Sequence, residues 1–205
     1  MRKAIFAALF FVVAAPAAFA QEEYKRGTFG VQYNHNRVDT GGAFDPTGTS
    51  DDREGFNGVS LNAGYNFHRF AGAEFDFSHV RKDTTVGNPT LFTVDLNGRL
   101  TQFLGGVRVQ DNRSETRVRP FARALVGVAH ASAEVAQVNC VNLCPTIAQS
   151  DDSETDFAAE FGGGIDFRLS DNVDVTAISI GYNPTRLEDQ TQHNIKIGVG
   201  LRFRF

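Results

Sequence analysis

The chain has 205 residues, 41% apolar and 21% charged, with 19 Phe, no Trp and a net charge of -4. That apolar content excludes a disordered chain, two Cys are too few for a disulfide scaffold, and the acidic balance leaves no basic footprint for nucleic acid. Mean hydropathy is -0.24, as in an ordinary soluble protein, and no stretch after residue 20 is apolar enough for a helical membrane span.

Arg2 and Lys3 open the chain, Ala4 to Ala15 form an apolar run ending near Pro16, and Ala18-Phe19-Ala20 fits the small-x-small cleavage rule. Residues 1–20 therefore read as a signal peptide cut after Ala20, with Gln21 as the first mature residue. Export places the mature chain where disulfides persist. Residues 21–27 form a short N-terminal segment, and one domain is expected over 28–205.

Beyond that point no apolar pattern holds a helical period, and alternation takes over. Phe29, Val31 and Tyr33 alternate with Gly30, Gln32 and Asn34. Val59, Leu61, Ala63, Tyr65 and Phe67 do the same against Ser60, Asn62, Gly64 and Asn66, and Ala71, Ala73, Phe75 and Phe77 against Gly72, Glu74, Asp76 and Ser78. The stretch from Leu91 to Val109 is long and changes parity near Gln102 and Phe103, the mark of a β-bulge. Residues 120–132 and 173–183 are apolar on both parities. Phe157, Phe161, Ile165 and Phe167 alternate with Glu160, Gly164, Asp166 and Arg168. Last come Ile195, Ile197, Val199, Leu201, Phe203 and Phe205 against Lys196, Gly198, Gly200, Arg202 and Arg204. Period-2 patterning of this kind marks strands with one greasy and one polar face, eight in all. Short turns follow the second, fourth and sixth strands, whereas 38–55, 81–90, 133–156 and 184–192 read as long loops. An even strand count then gathers every long loop at one end.

Alternation alone does not say which face is inside. The polar face mixes small residues with Glu74, Asp76, Arg99, Arg108, Glu160, Asp166, Arg168, Lys196 and Arg202. Small residues beside opposite charges suit the crowded lumen of a small barrel, where the charges neutralise one another. Apolar alternations of about 10 residues match a tilted strand crossing an outer membrane. The end of the chain, Val199, Leu201, Phe203 and Phe205, fits the assembly signal of outer-membrane barrels. The expected fold class is all-β, an eight-stranded antiparallel up-and-down transmembrane β-barrel.

The chain resembles the eight-stranded outer-membrane β-barrel domain family, related to the OmpA and OmpX barrels. The resemblance rests on 72–79 (GAEFDFSH), 104–109 (LGGVRV), 119–130 (RPFARALVGVAH), 161–172 (FGGGIDFRLSDN), 181–187 (GYNPTRL) and 198–205 (GVGLRFRF). It implies a monomer in the cell outer membrane, with periplasmic termini and loops at the cell surface. Its partners would be membrane lipid, lipopolysaccharide and, during biogenesis, the barrel-assembly machinery. With four Tyr and no Trp, the aromatic girdle would have to be built mostly of Phe, which lacks a polar handle.

Little in the chain points to chemistry. Cys140 and Cys144 enclose three residues, and export favours a small disulfide ring over free thiols. His130, Ser132 and Glu134 fall on one parity, as a hydrolase acting on lipid A would need, but a rim His beside an ordinary Ser is the stronger reading. No His spacing suggests zinc, and the acidic runs at 51–52 and 151–156 read as solvated loops. Gly162-Gly163-Gly164 interrupts a strand and makes room for its neighbours. No cofactor and no enzymatic activity are expected. The leading expectation is a barrel with a charge-filled, closed lumen and a structural or surface-interaction role. A narrow channel for small solutes and a lipid-A hydrolase follow behind.

Overall fold

A computed structural model describes residues 24–39, 53–88, 92–113, 115–140, 151–187 and 190–205. Its elements are eight strands: β1 (Gly27–Asp39), β2 (Arg53–His68), β3 (Ala71–Asn88), β4 (Phe92–Gln110), β5 (Val118–Cys140), β6 (Asp151–Arg168), β7 (Val173–Leu187) and β8 (Gln190–Arg204). Each runs antiparallel to the next, and β8 returns to β1 over Thr28↔Arg204 to Arg37↔Ile195, closing the barrel and leaving no edge. The segment expected to be a signal peptide, Cys144 and the acidic pair at 51–52 lie outside the described residues.

The barrel is turned inside out relative to a soluble one. In β1 the polar side chains Thr28, Gln32, Asn34 and Asn36 are buried, while Phe29, Val31 and Tyr33 face out. The same inversion holds in β8, where Lys196, Arg202 and Arg204 are inside and Ile197, Val199, Leu201 and Phe203 outside. An apolar exterior of this size is stable only against lipid. Aromatic rings are spread along it: Phe29, Tyr65, Phe67, Phe167 and Phe203 near the short turns, and Phe75, Tyr33, Phe103, Phe161, Tyr182 and Phe157 farther along their strands.

Two expectations from the sequence are corrected. The first concerns loops. Residues 81–88 continue β3 against β4 as far as Asn88↔Phe92, β5 and β6 pair from Glu134↔Asp151 downward, and β7 and β8 pair up to Leu187↔Gln190. The acidic run at 151–156 is thus part of a strand. Beyond the lipid both faces of a sheet meet water, so apolar alternation disappears while the backbone ladder continues. The second concerns β4, which has no parity change at Gln102 and Phe103. Its even-numbered residues Leu100, Gln102, Leu104, Arg108 and Gln110 are buried on both sides of that point. Leu100 and Leu104 imitate lipid-facing residues but point inward. The register shifts lie elsewhere, including Asp95/Leu96 between β4 and β5 and Thr176/Ser179 between β7 and β8. The latter lets Ala177 and Ile178 both face out, which explains the double-sided pattern of that strand.

Candidate functional site: the charge-filled lumen

The interior is built in tiers, because inward residues of neighbouring strands fall level with one another. Nearest the short turns, Arg119 donates to both oxygens of Asp174 at 2.6 and 2.7 Å, and Arg204 approaches the same carboxylate at 3.7 Å. Arg119 also donates to the carbonyl of Arg113 at 3.0 Å. Asp166 comes next. It accepts from Arg108 at 2.7 Å, Gln110 at 2.9 Å and Thr176 at 2.7 Å.

Glu74 forms the hub. Three guanidinium groups converge on it, from Arg108 at 3.2 Å, Arg123 at 3.1 Å and Arg202 at 3.1 Å. Beyond it, Lys196 bridges Asp76 at 3.1 Å and Glu160 at 3.2 Å, and Arg123 also pairs with Glu160. All these groups are almost wholly buried. Removing one member of such a set leaves a partner charge stranded, at a cost of about 3–5 kcal/mol. Local packing holds the set in place: the Arg108 guanidinium lies 3.5 Å over the Phe121 ring. That ring needs a glycine beside it, since a methyl group at Gly164 would stand 2.7 Å from Phe121.

On the loop side the charges give way to amides and then to apolar side chains. Ser78 donates to Gln102 at 3.3 Å, Gln102 to Asn183 at 2.7 Å, and Asn183 to the carbonyl of Ala159 at 2.9 Å. Val38, Phe56, Val80, Leu100, Leu104, Leu125, Ala129 and Ala158 form one buried cluster. This inward apolar layer was not expected, because alternation was read as polar inside along the whole strand.

The nine charged residues singled out from the sequence separate into two groups. Glu74, Asp76, Arg108, Glu160, Asp166, Lys196 and Arg202 come together in the lumen. Arg99 does not: it lies on the outward parity of β4, 47% exposed, and pairs with Glu134 at 3.2 Å. Its misplacement follows from the bulge wrongly expected four residues on. Arg168 sits at the mouth of the barrel and pairs with Asp171 of the β6–β7 turn. Arg119, Arg123 and Asp174 were missed, and Arg204, read on the polar face of the last strand, was not carried into the charge set. The first two share a parity with the inward Phe121 and Leu125, opposite a run of Pro120, Ala122, Ala124 and Val126, so both parities of β5 read as apolar.

Other candidates find more ordinary places. His130 is hydrogen-bonded through Nδ1 to Thr155 at 2.7 Å, and Glu134 pairs with Arg99. Cys140 ends β5, and with Cys144 undescribed the disulfide lies outside the described residues. Among the described residues no cluster of His, Cys, Asp and Glu could hold a metal. Phe205, at the turn end of β8, is 70% exposed on the lipid face, and its backbone pairs with Gly27.

A family model for the outer membrane protein β-barrel domain matches residues 4–203. No curated protein matches the chain. Among solved structures, the chain is similar to Ail, the attachment invasion locus protein of Yersinia pestis, in complex with the heparin analogue sucrose octasulfate. That likeness has a TM-score of 0.58 at 18% identity and covers 89% of this chain and 99% of that one. A second structure of Ail gives 0.55 over the same shares of the two chains, again at 18% identity. Neisserial surface protein A gives 0.50 at 14% identity, covering 87% of this chain and 97% of that one. Likenesses at these identities concern the fold.

Proposed function

The chain belongs to the outer membrane protein β-barrel domain family, and from that placement we propose that it is a closed barrel whose function lies in what it presents outside the membrane. The observation that carries this reading is unequal strand length. About 10 tilted residues cross the hydrocarbon layer. Yet β3, β4, β5 and β6 have 18, 19, 23 and 18 residues, against 13 in β1 and 15 in β7 and β8. The surplus forms a continuous hydrogen-bonded wall on one side of the barrel. A wall of this kind offers a rigid surface for contact with another cell, a matrix or a neighbouring envelope component. The lumen beneath supports the same reading, since ion pairs and an apolar layer fill the path a solute would take.

The test is to shorten the wall. Residues 85–95 are replaced by an Asn-Gly turn joining the paired Thr84 and Leu96. Adherence of whole cells to heparin-coated wells and to a cultured monolayer is then compared between the full and shortened chains. Adherence conferred by the full chain and lost with the shortened one supports the reading, provided the barrel still shows a heat-dependent mobility shift. Equal adherence would refute it.

A narrow channel is the second reading, and one observation favours it. The amide oxygens of Gln32, Asn34 and Asn36, successive inward residues of β1, are buried without a protein hydrogen-bond partner. Such a column suits a file of water along one side of the lumen.

A further inference from the structure

The buried charges balance within the middle of the lumen and fail to balance at its turn end. In the middle, Glu74, Asp76, Glu160 and Asp166 face Arg108, Arg123, Lys196 and Arg202, four charges against four. Nearest the short turns, Asp174 faces two cations, Arg119 and Arg204. Arg119 holds both carboxylate oxygens, at 2.6 and 2.7 Å. Arg204 is the surplus charge, because its Nε stands 3.7 Å from Asp174, beyond hydrogen-bond reach. A terminal nitrogen of Arg204 donates to the carbonyl of Asn112 instead. A carbonyl satisfies a donor without neutralising its charge.

The surplus is shielded from water. Arg119, Arg204 and Asn112 are all buried, and a cover lies across this mouth. Tyr24, ahead of β1, makes a β-bridge with Arg113, just past β4, although the two strands stand three apart around the ring. Asn112 donates to the carbonyl of Arg69 at 2.8 Å, and Asn66 to those of Arg26 and Lys25 at 2.7 and 2.8 Å, which ties the cover down. Nearby carboxylates are committed elsewhere: Asp111 is held by Arg113 and Asp171 by Arg168, while Glu115 stands in solvent. The carbonyl oxygen of Phe205 takes the Gly27 N–H at 2.8 Å.

A second observation points the same way. Arg119 Nε is buried without an acceptor among the described residues. Two guanidinium groups that converge on Asp174 therefore share one uncompensated charge and one unpaired N–H. A single anion answers both, and burying it beside them offsets the cost of the stranded cation. The crowding by side chains and cover favours a compact anion over phosphate. Lys25, Arg26, Arg69 and Arg117, also at this end, raise the anion concentration outside the mouth.

We propose that the turn-side mouth of the barrel binds one chloride ion between Arg119 and Arg204. The site lies at the opposite end of the molecule from the wall and is independent of what that wall contacts.

The test uses the purified barrel in phosphatidylcholine vesicles, unfolded by urea in sodium chloride and in sodium gluconate of equal ionic strength. Gluconate is too bulky for the covered mouth. Chloride should lower the unfolding constant of the parent roughly tenfold. Arg204→Gln removes the surplus charge, so it should lose the response to chloride and be at least as stable as the parent in gluconate. Arg204→Lys keeps the charge and should keep the response. A parent equally stable in both salts overturns the proposal. So does an Arg204→Gln barrel that responds as the parent does, since a general salt effect moves both alike. A measurement on the parent alone covers an Arg204→Gln chain without the heat-dependent mobility shift. The chloride magnetic resonance line should broaden when the parent barrel is added and narrow again as bromide competes. A line that the barrel leaves unchanged is the contrary result.

Discussion

Glu74 takes on three guanidinium groups at once, so its removal strands more charge than any other substitution in the lumen. Glu74→Ala is expected to lower barrel stability by about 3–5 kcal/mol, read from urea unfolding in lipid vesicles. A variant as stable as the parent would mean that water already screens the hub. At the rim, Asp111 acts on a smaller scale. It accepts from the Arg113 side chain at 3.0 and 2.7 Å, from the Arg113 backbone N–H at 3.2 Å and from Thr116 at 3.2 Å. Foremost through the Arg113 side chain, these bonds lower its carboxyl from an ordinary 3.8 to about 2. A carboxyl depressed in the folded state stabilises the turn above the unfolded value, and that contribution is lost as pH falls from about 4 toward 2. Local opening of this turn, followed by amide exchange, should therefore rise across that window and lose its pH dependence in Asp111→Asn. Single residues were the least legible scale. Glu74, Asp76 and Lys196 could be picked out because each alternates with clear apolar neighbours. Arg123 could not, because Phe121 and Leu125 on its own parity point inward and hide the polar face of β5.

At the scale of elements, the strands were legible wherever one face meets lipid, and illegible above it. Alternation identified β8 from Ile195 onward, where its outward residues meet lipid, and missed its start at Gln190–Gln192. It failed at 81–88 and 151–156, where polar residues on both parities look like loop although the backbone remains paired. That difference can be tested chemically. Thr85 and Asp95 are cross-strand partners whose side chains meet at 2.6 Å. Cysteines at the two positions should link in most molecules under mild oxidation, as measured by gel mobility, and a persistent free thiol pair would return this segment to loop. The end of β8 makes a separate prediction. Phe205 is exposed to lipid just past β8, with its backbone paired to Gly27, so Phe205→Ala is expected to reduce the amount of folded barrel reaching the outer membrane several-fold. Unchanged assembly would remove any signalling role from that ring.

For the molecule as a whole, near-neutral hydropathy and a membrane location are reconciled by inversion. Half of each strand contributes Phe, Val, Ile and Leu to the outside, and the other half contributes amides, hydroxyls and charges to the inside. A sum over the two resembles a soluble protein, because it averages a lipid-facing surface with a water-like core. The whole chain pointed to charges inside the barrel but not to the apolar layer above them. Five buried carboxylates, Glu74, Asp76, Glu160, Asp166 and Asp174, meet six buried cations, and Val38, Phe56, Val80, Leu100 and Leu125 close the space on the loop side. The apolar layer could not be read from alternation, because its members occupy positions that alternation assigns to polar residues. The most direct test is the conductance of the purified barrel in planar bilayers. A filled lumen should give no steady open level across repeated insertions, and a reproducible, ion-specific open level would contradict it.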